Sequence, residues 1–126
     1  MDEKICLDTD VCIDILKGNE RAKKIFEVAS ENKVHISVIT VFELLLRKTN
    51  IEIVERFINS INKLPIDDDV ARTASKLQKD LLDKNIKIDI RDLFIAACAI
   101  NNDCELVTFN KKDFLNIGGL DLYEFQ

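Results

Sequence analysis

Three acidic residues of this chain lie next to or within strongly apolar segments. Asp8 directly follows an apolar tripeptide, Glu43 interrupts an apolar run, and Asp92 opens another. An ionised carboxylate in apolar surroundings is costly unless it is paired or coordinated. Because one bound cation would remove that cost for several carboxylates at once, the pattern predicts that Asp8, Glu43 and Asp92 hold a divalent metal ion.

Each acid taken singly also has an ordinary structural interpretation. Asp92 could cap the N-terminus of its helix, where the amide dipoles favour an acid. Asp8 could be a turn residue at the end of a strand, and Glu43 could form an ion pair with Arg47 one helical turn away. These alternatives stay open for each residue, but three such acids together favour a shared site.

The elements that must position these acids alternate along the chain, because short apolar segments are separated by longer amphipathic ones. The predicted strands are 4–7, 34–36, 105–108 and an edge strand at 120–123, with a brief extended piece at 64–66. The predicted helices are a helix capped by Asp10 that ends near residue 17, then 20–32, 38–48 capped by Ser37, 51–62, 67–84, 92–101, and a helical turn at 111–115. This pattern predicts an α/β fold.

Strands separated by helices imply a mostly parallel sheet that is flanked by α-helices on both faces. In such sheets ligands bind outside the carboxyl ends of the strands. Asp8 follows the first predicted strand, and Asn110 and Asp113 follow the strand at 105–108. If these two strands are neighbours, the three side chains share one rim of the sheet.

The composition is that of one folded domain over residues 1–126. Of these residues 47% are hydrophobic and 33% are charged, which excludes a disordered chain. The net charge of −5 argues against a protein that simply coats nucleic acid. It does not argue against a nuclease, since a site that concentrates carboxylates around a cation makes a protein acidic.

The expected location is the cytoplasm, with no association with a membrane. There is no uninterrupted apolar stretch of about 18 residues, the length of a membrane span, and the charged first residues do not form a secretory signal. The four cysteines have no metal-binding spacing, and only one histidine could assist them. We therefore expect core thiols in a reducing compartment.

Four segments of the chain resemble, in order and spacing, the motifs of the PIN-domain family. They are Leu-Asp-Thr-Asp at 7–10, Ile-Ser-Val-Ile-Thr-Val-Phe-Glu-Leu at 36–44, Asp-Leu-Phe-Ile-Ala-Ala at 92–97 and Leu-Val-Thr-Phe-Asn-Lys-Lys-Asp-Phe at 106–114. The chain most resembles the VapC-type toxins of prokaryotic toxin–antitoxin pairs, and the resemblance covers nearly its whole length.

This resemblance implies an endoribonuclease that depends on Mg²⁺ or Mn²⁺ and is the toxin of such a pair. Asp8 and Asp92 match metal ligands of the family, and Glu43 matches its acid on the helix after the second strand. The implied partners are an RNA substrate, an antitoxin protein, and a second copy of the chain bound through helices on one edge, for which the helix at 51–62 is a candidate.

The chain departs from the family pattern at two positions. Many relatives carry Asp where this chain has Asn110, so either Asp113 supplies a fourth acid or the site uses three carboxylates. The common opening Asp-Thr-Asn reads Asp8-Thr9-Asp10 here. Whether Asp10 joins the site or only caps its helix stays open.

Several other polar residues lie near the acids along the sequence. Thr9 and Thr108 are candidates for hydrogen bonds to the acids or for caps. Lys111, Lys112 and Arg91 are candidates for contacts with phosphate, although solvated surface positions explain lysines in a turn equally simply. The sequence does not distinguish these roles.

Two other functions compete with a nuclease. A PIN-like scaffold that binds RNA without cutting it would retain the fold, and Asn110 is consistent with partial loss of the site. The Asp-x-Asp at residues 8–10 is also similar to the opening of haloacid-dehalogenase-like phosphatases, in which the first Asp is the nucleophile. No later segment of this chain matches the Lys and acidic pair that such phosphatases need.

Overall fold

Four short strands form one parallel sheet in the computed structural model, which describes residues 4–29 and 33–125. The strands are β1 (Lys4–Leu7), β2 (Val34–Ser37), β3 (Asn62–Leu64) and β4 (Cys104–Val107). Their order across the sheet is β3-β2-β1-β4, and every neighbouring pair is parallel. The predicted α/β class with a parallel sheet is confirmed.

Helices cover both faces of this sheet. The helices of the described residues are α1 (Thr9–Leu16), α2 (Glu20–Val28), α3 (Val38–Leu45), α4 (Ile51–Asn59), α5 (Asp68–Asp83) and α6 (Ile90–Asn101), followed by a 3-10 turn at Lys111–Asp113. Buried residues of α1 to α4 pack on one face, and those of α5 and α6 pack on the other. Within the described ranges no helix is long and apolar enough to cross a membrane.

Strand β1 lies inside the sheet and is therefore buried on both faces. Ile5 and Leu7 belong to the core on the side of α1 to α4, whereas Cys6 between them belongs to the core on the side of α5 and α6. This alternation follows from the two-residue period of a strand and explains why the strand is apolar almost throughout. All four cysteines are buried free thiols, as predicted.

The chain changes direction across the sheet between β1 and β4. From β1 it builds outward through β2 and β3, and then crosses to the other side of β1 to form β4. The parallel register pairs Leu7 with Val107, so Asp8 and Thr108 follow directly at the same edge. A crevice outside the carboxyl ends of strands at such a switch is where α/β proteins bind ligands.

Several predicted boundaries are wrong by a few residues. Helix α4 ends at Asn59, and β3 precedes Pro65 rather than containing it, because proline has no N–H to donate to a sheet. The edge strand predicted at 120–123 is a single bridge between Leu106 and Leu122. The last residues predicted for the second helix, 30–32, lie outside the described residues.

The apolar run that Glu43 interrupts predicts a helix that is mostly buried, and the structure contradicts that prediction. In and directly after α3, Phe42 is 54% exposed and Leu46 is 59% exposed, while Thr40 and Leu44 are buried. A helix in the outer layer of a domain buries only one stripe, and the apolar run is wider than that stripe. The exposed part is an apolar surface of a kind that commonly marks a contact with another protein.

Candidate active site

Asp8 is held at the carboxyl end of β1 by contacts from two other elements. Its backbone N–H donates to the Val107 carbonyl at 2.9 Å, which continues the pairing of β1 with β4. One carboxylate oxygen accepts the Thr9 N–H at 2.8 Å, so Asp8 caps α1. The other oxygen accepts the Thr108 hydroxyl at 2.8 Å. Asp8 is only 6% exposed, and its orientation is therefore fixed.

Asp10 does not cap α1, contrary to the predicted boundary. It lies in the first turn of the helix, where its Oδ2 atom accepts the Phe109 N–H at 3.1 Å and the Asn110 side-chain amide at 3.0 Å. Its Oδ1 atom is buried and has no hydrogen-bond partner in the described chain. A buried carboxylate oxygen without a partner is costly, and a bound cation would satisfy it. Asp10 also raises the pKa of Asp8 by charge repulsion, so the two carboxylates lie close together in the acidic cluster.

Glu43 projects from α3 toward α1 and α6. Its Oε1 atom accepts the Thr9 hydroxyl at 2.5 Å, and its Oε2 atom lies 3.3 Å from Arg91 Nη1. The ion pair is thus with Arg91 across the site rather than with Arg47, which lies beyond the end of α3. Thr40, whose hydroxyl lies 3.1 Å from that of Thr9, was missed in the sequence. The sequence signal that could have identified Thr40 is a hydroxyl group one turn before Glu43 in an otherwise apolar helix.

Asp92 lies in the first turn of α6 and does not cap it. The cap is Asp89, whose carboxylate accepts the Arg91 N–H at 2.8 Å, so the helix begins two residues before the predicted start. Arg91 also contacts Asp89 through its guanidinium at 3.2 Å. Arg91 thus connects Glu43 to the start of α6 and is not a free cation for phosphate. The signal for Asp89 was an acid directly before the helical segment.

The pKa values of these acids are raised because the acids are buried close together. Burial, followed by repulsion from Asp10, raises the pKa of Asp8 to about 7, although the Thr108 hydroxyl opposes the shift. Burial and the charges of Asp89, Asp113 and Glu43 raise the pKa of Asp92 to about 6. The pKa of Asp10 is raised as well, mainly by burial. The cluster therefore favours the arrival of positive charge.

The donor set of this cluster suits a hard divalent cation. Carboxylate oxygens are the ligands that Mg²⁺ prefers, and the unpartnered oxygen of Asp10 adds to the demand for a cation. Within residues 4–29 and 33–125, no three Asp, Glu, His or Cys side chains already converge as metal ligands. Mg²⁺ commonly binds proteins through one or two carboxylates and keeps several waters, so it does not require a closed set of protein ligands.

The two candidates for a fourth site residue lie at different places in the cluster. Asn110 contacts Asp10 directly. Asp113 instead faces Asp92, whose pKa it raises, and both line a cleft of about 290 Å³ beside α6. Asn110 therefore positions Asp10, whereas Asp113 extends the acidic cluster on the side of Asp92.

Comparison with known proteins assigns this chain to a family. A family model described as PIN domain matches residues 5–120. The chain belongs to the PIN-domain family. The matched range contains helices α1, α3 and α6, strand β4 and all of β1 except its first residue.

Relatives of this PIN domain include proteins named as ribonucleases. Ribonuclease VapC1 of Methanocaldococcus jannaschii is 33% identical, over 98% of this chain and 89% of its own length. The tRNA(fMet)-specific endonuclease VapC of Shigella flexneri is 26% identical, over 93% of this chain and 94% of its own. A solved structure of DNA-bound VapBC from Salmonella typhimurium contains a chain with a TM-score of 0.89 and 28% identity, and the match covers 96% of this chain and 97% of that one.

Proposed function

We propose that this PIN domain is a metal-dependent endoribonuclease and the toxin of a toxin–antitoxin pair. The observation that carries the proposal is the cluster of acids at the carboxyl ends of β1 and β4, in which Asp8 is buried and Asp10, Glu43 and Asp92 are half-buried, in a chain whose relatives are named ribonucleases. A scaffold that only binds RNA has no need of a buried Asp8 next to Asp10, because two neighbouring carboxylates repel each other unless a cation binds them.

Asp8, Asp92 and Glu43 are the residues that would hold the metal, which is Mg²⁺ or Mn²⁺. When bound, such a cation activates a water molecule and neutralises charge that develops on the scissile phosphate. Thr108 and the Thr9 N–H keep the Asp8 carboxylate in place. The Thr9 hydroxyl and Arg91 hold the two oxygens of Glu43, which leaves their remaining lone pairs to orient a water and accept its proton.

The purified protein is expected to cut single-stranded RNA in the presence of Mg²⁺ or Mn²⁺ and to stop when EDTA is added. Gel analysis of a labelled RNA oligonucleotide checks this, and cleavage should return when the cation is restored in excess. Equal cutting in EDTA would contradict the role of a metal. RNA binding without cleavage in either cation would favour the scaffold alternative.

An antitoxin and a second copy of the chain are the protein partners in this proposal. Solved VapBC structures support the antitoxin. The apolar side chains that α3, α4 and the residue after α3 leave exposed supply a surface for the dimer. These side chains are Val38, Phe42, Leu45, Leu46, Ile51 and Ile53. We place the activity in the cytoplasm, where RNA is present and where buried thiols stay reduced.

Leu46→Glu is expected to convert a dimer of the purified chain into a monomer, because a carboxylate would have to be buried in an apolar contact. Light scattering after size-exclusion chromatography measures the mass of each species. Leu115→Glu is the matched control, since Leu115 is equally apolar and 67% exposed but lies outside α3 and α4. A monomeric wild type, or a Leu46→Glu variant that remains dimeric, would contradict this surface.

A further inference from the structure

A cleft continues from the acidic cluster along the N-terminal end of α6. Asp92 and Asp113 form its wall on the side of the cluster. Its volume of about 290 Å³ lies at the lower end of the range for small-molecule sites, roughly 300–1,000 Å³. The cleft can therefore accept a group of the size of one nucleoside beside the proposed site of cleavage.

The lining of the cleft is divided between apolar and polar groups. Ile86, Ile88 and the buried Ile117 supply apolar surface. Lys87 and Asn116 supply polar groups at the same cleft. A nucleoside within an RNA strand likewise combines apolar and polar parts, since its base has apolar faces and polar edges and its backbone is anionic.

Two neighbouring lysines of the 3-10 turn have different surroundings. Lys111 forms an ion pair with Glu124 at 3.0 Å, and its ammonium group lies 5.4 Å from the centre of the Phe125 ring. Lys112 instead lines the cleft, directly before Asp113. In a chain of net charge −5, Lys112 and Lys87 are the cationic side chains of a cleft that three aspartates also line, so they are the groups there that can attract an RNA phosphate.

We propose that this cleft binds the nucleoside next to the scissile phosphate, with Lys112 contacting the adjoining phosphate and Asn116 contacting the edge of the base. This inference rests on the proposed ribonuclease function and specifies how the substrate lies in the site. The apolar residues pack against the base, and the backbone then passes Lys112 on its way to Asp92. Asn116 is the group in the cleft that can both donate and accept a hydrogen bond, so it contributes to the choice of base.

The test compares Lys112→Gln with the matched control Lys111→Gln on an RNA oligonucleotide that has a single cleavage site. Lys112→Gln is expected to raise KM about tenfold with little change in kcat. Because one phosphate contact is lost, the slope of log KM against log salt should fall by about 0.7. Lys111→Gln should leave both quantities near the wild-type values, and Lys112→Arg should restore most of the affinity.

A second measurement separates failure of this cleft from failure of the nuclease proposal. Binding of uncut RNA is measured in an Asp8→Asn background, where Lys112→Gln should again weaken affinity about tenfold. Asn116→Ala should change the base preferred next to the cleavage site. If the wild type cuts RNA while Lys112→Gln and Asn116→Ala behave like it, the cleft is not the nucleoside site and the nuclease proposal stands. If the wild type neither binds nor cuts RNA, both proposals fail.

Discussion

Asp8→Asn and Asp92→Asn are each expected to lower the rate of RNA cleavage by about 1,000-fold or more while the chain stays folded. The loss follows because each variant removes an anionic oxygen from the set that would hold the cation, and about 4 kcal/mol of lost transition-state stabilisation corresponds to that factor. Folding is retained at Asp8 because asparagine also caps helices and because the Thr108 hydroxyl can accept from an amide as well as donate.

Cleavage of a labelled oligonucleotide in saturating Mg²⁺ measures this effect, and circular dichroism of each variant establishes that it is folded. Asp80→Asn is the matched control, because it makes the same change of charge at an exposed position on α5. Its rate should lie within about twofold of the wild type. Normal cleavage by both Asp8→Asn and Asp92→Asn would mean that the cluster is not the active site.

The metal-free protein is expected to lose stability as pH rises from about 4 to about 7, and Asp8→Asn is expected to remove much of that loss. The folded-state pKa of Asp8, about 7, exceeds its usual value of 3.8, so the unfolded chain releases this proton first. The contribution of protonated Asp8 to folding stability is thus complete below pH 3.8 and is lost as pH rises through about 7. Asp92, with a pKa of about 6, acts in the same direction.

Thermal unfolding in EDTA at pH 4.5 and pH 8 measures this effect. At pH 8 the Asp8→Asn variant should melt roughly 10 °C above the wild type, whereas at pH 4.5 the two should nearly coincide. Mg²⁺ at pH 8 should raise the Tm of the wild type and affect the variant less. Asp14→Asn is the control, and it should change the Tm at pH 8 in the opposite direction. The hydrogen bond from Arg21 lowers the pKa of Asp14, so the ionised form of Asp14 is favoured in the folded chain. A variant that melts below the wild type at pH 8 would refute the assigned electrostatics.

Burial and charge repulsion from Asp10 both act on Asp8, and this is why Asp8→Asn is informative in the cleavage experiment and in the unfolding experiment. The arrangement that raises the pKa of Asp8 and Asp92 makes the cluster a poor contributor to metal-free stability and a good receptor for a cation. A purely structural role for Asp8, as the cap of α1, predicts no rise in Tm at pH 8, since asparagine caps a helix about as well as aspartate does. The Tm at pH 8 therefore separates a binding role from a capping role.

Features that depend on neighbouring residues along the chain were predicted well. Strand β1 was predicted at its observed bounds, Lys4–Leu7, because a buried strand between turn residues leaves an apolar segment of that length. The cap at Ser37, whose side chain accepts the backbone N–H of Thr40, was also predicted from a local signal. The caps at Asp8 and Asp89 were missed because Asp10 and Asp92, two or three residues further on, are equally good cap residues by type.

The sequence by itself determined the fold class and the family, because alternating apolar segments and a few motif residues are local properties of the chain. Only the tertiary structure decided which partner each acid has. The Thr108 hydroxyl reaches Asp8, the Asn110 amide reaches Asp10, and Arg91 rather than Arg47 reaches Glu43. These contacts join residues far apart in the chain, and their geometry follows from the order and register of β1 and β4 and from the packing of α3 against α6. No local pattern encodes these distances.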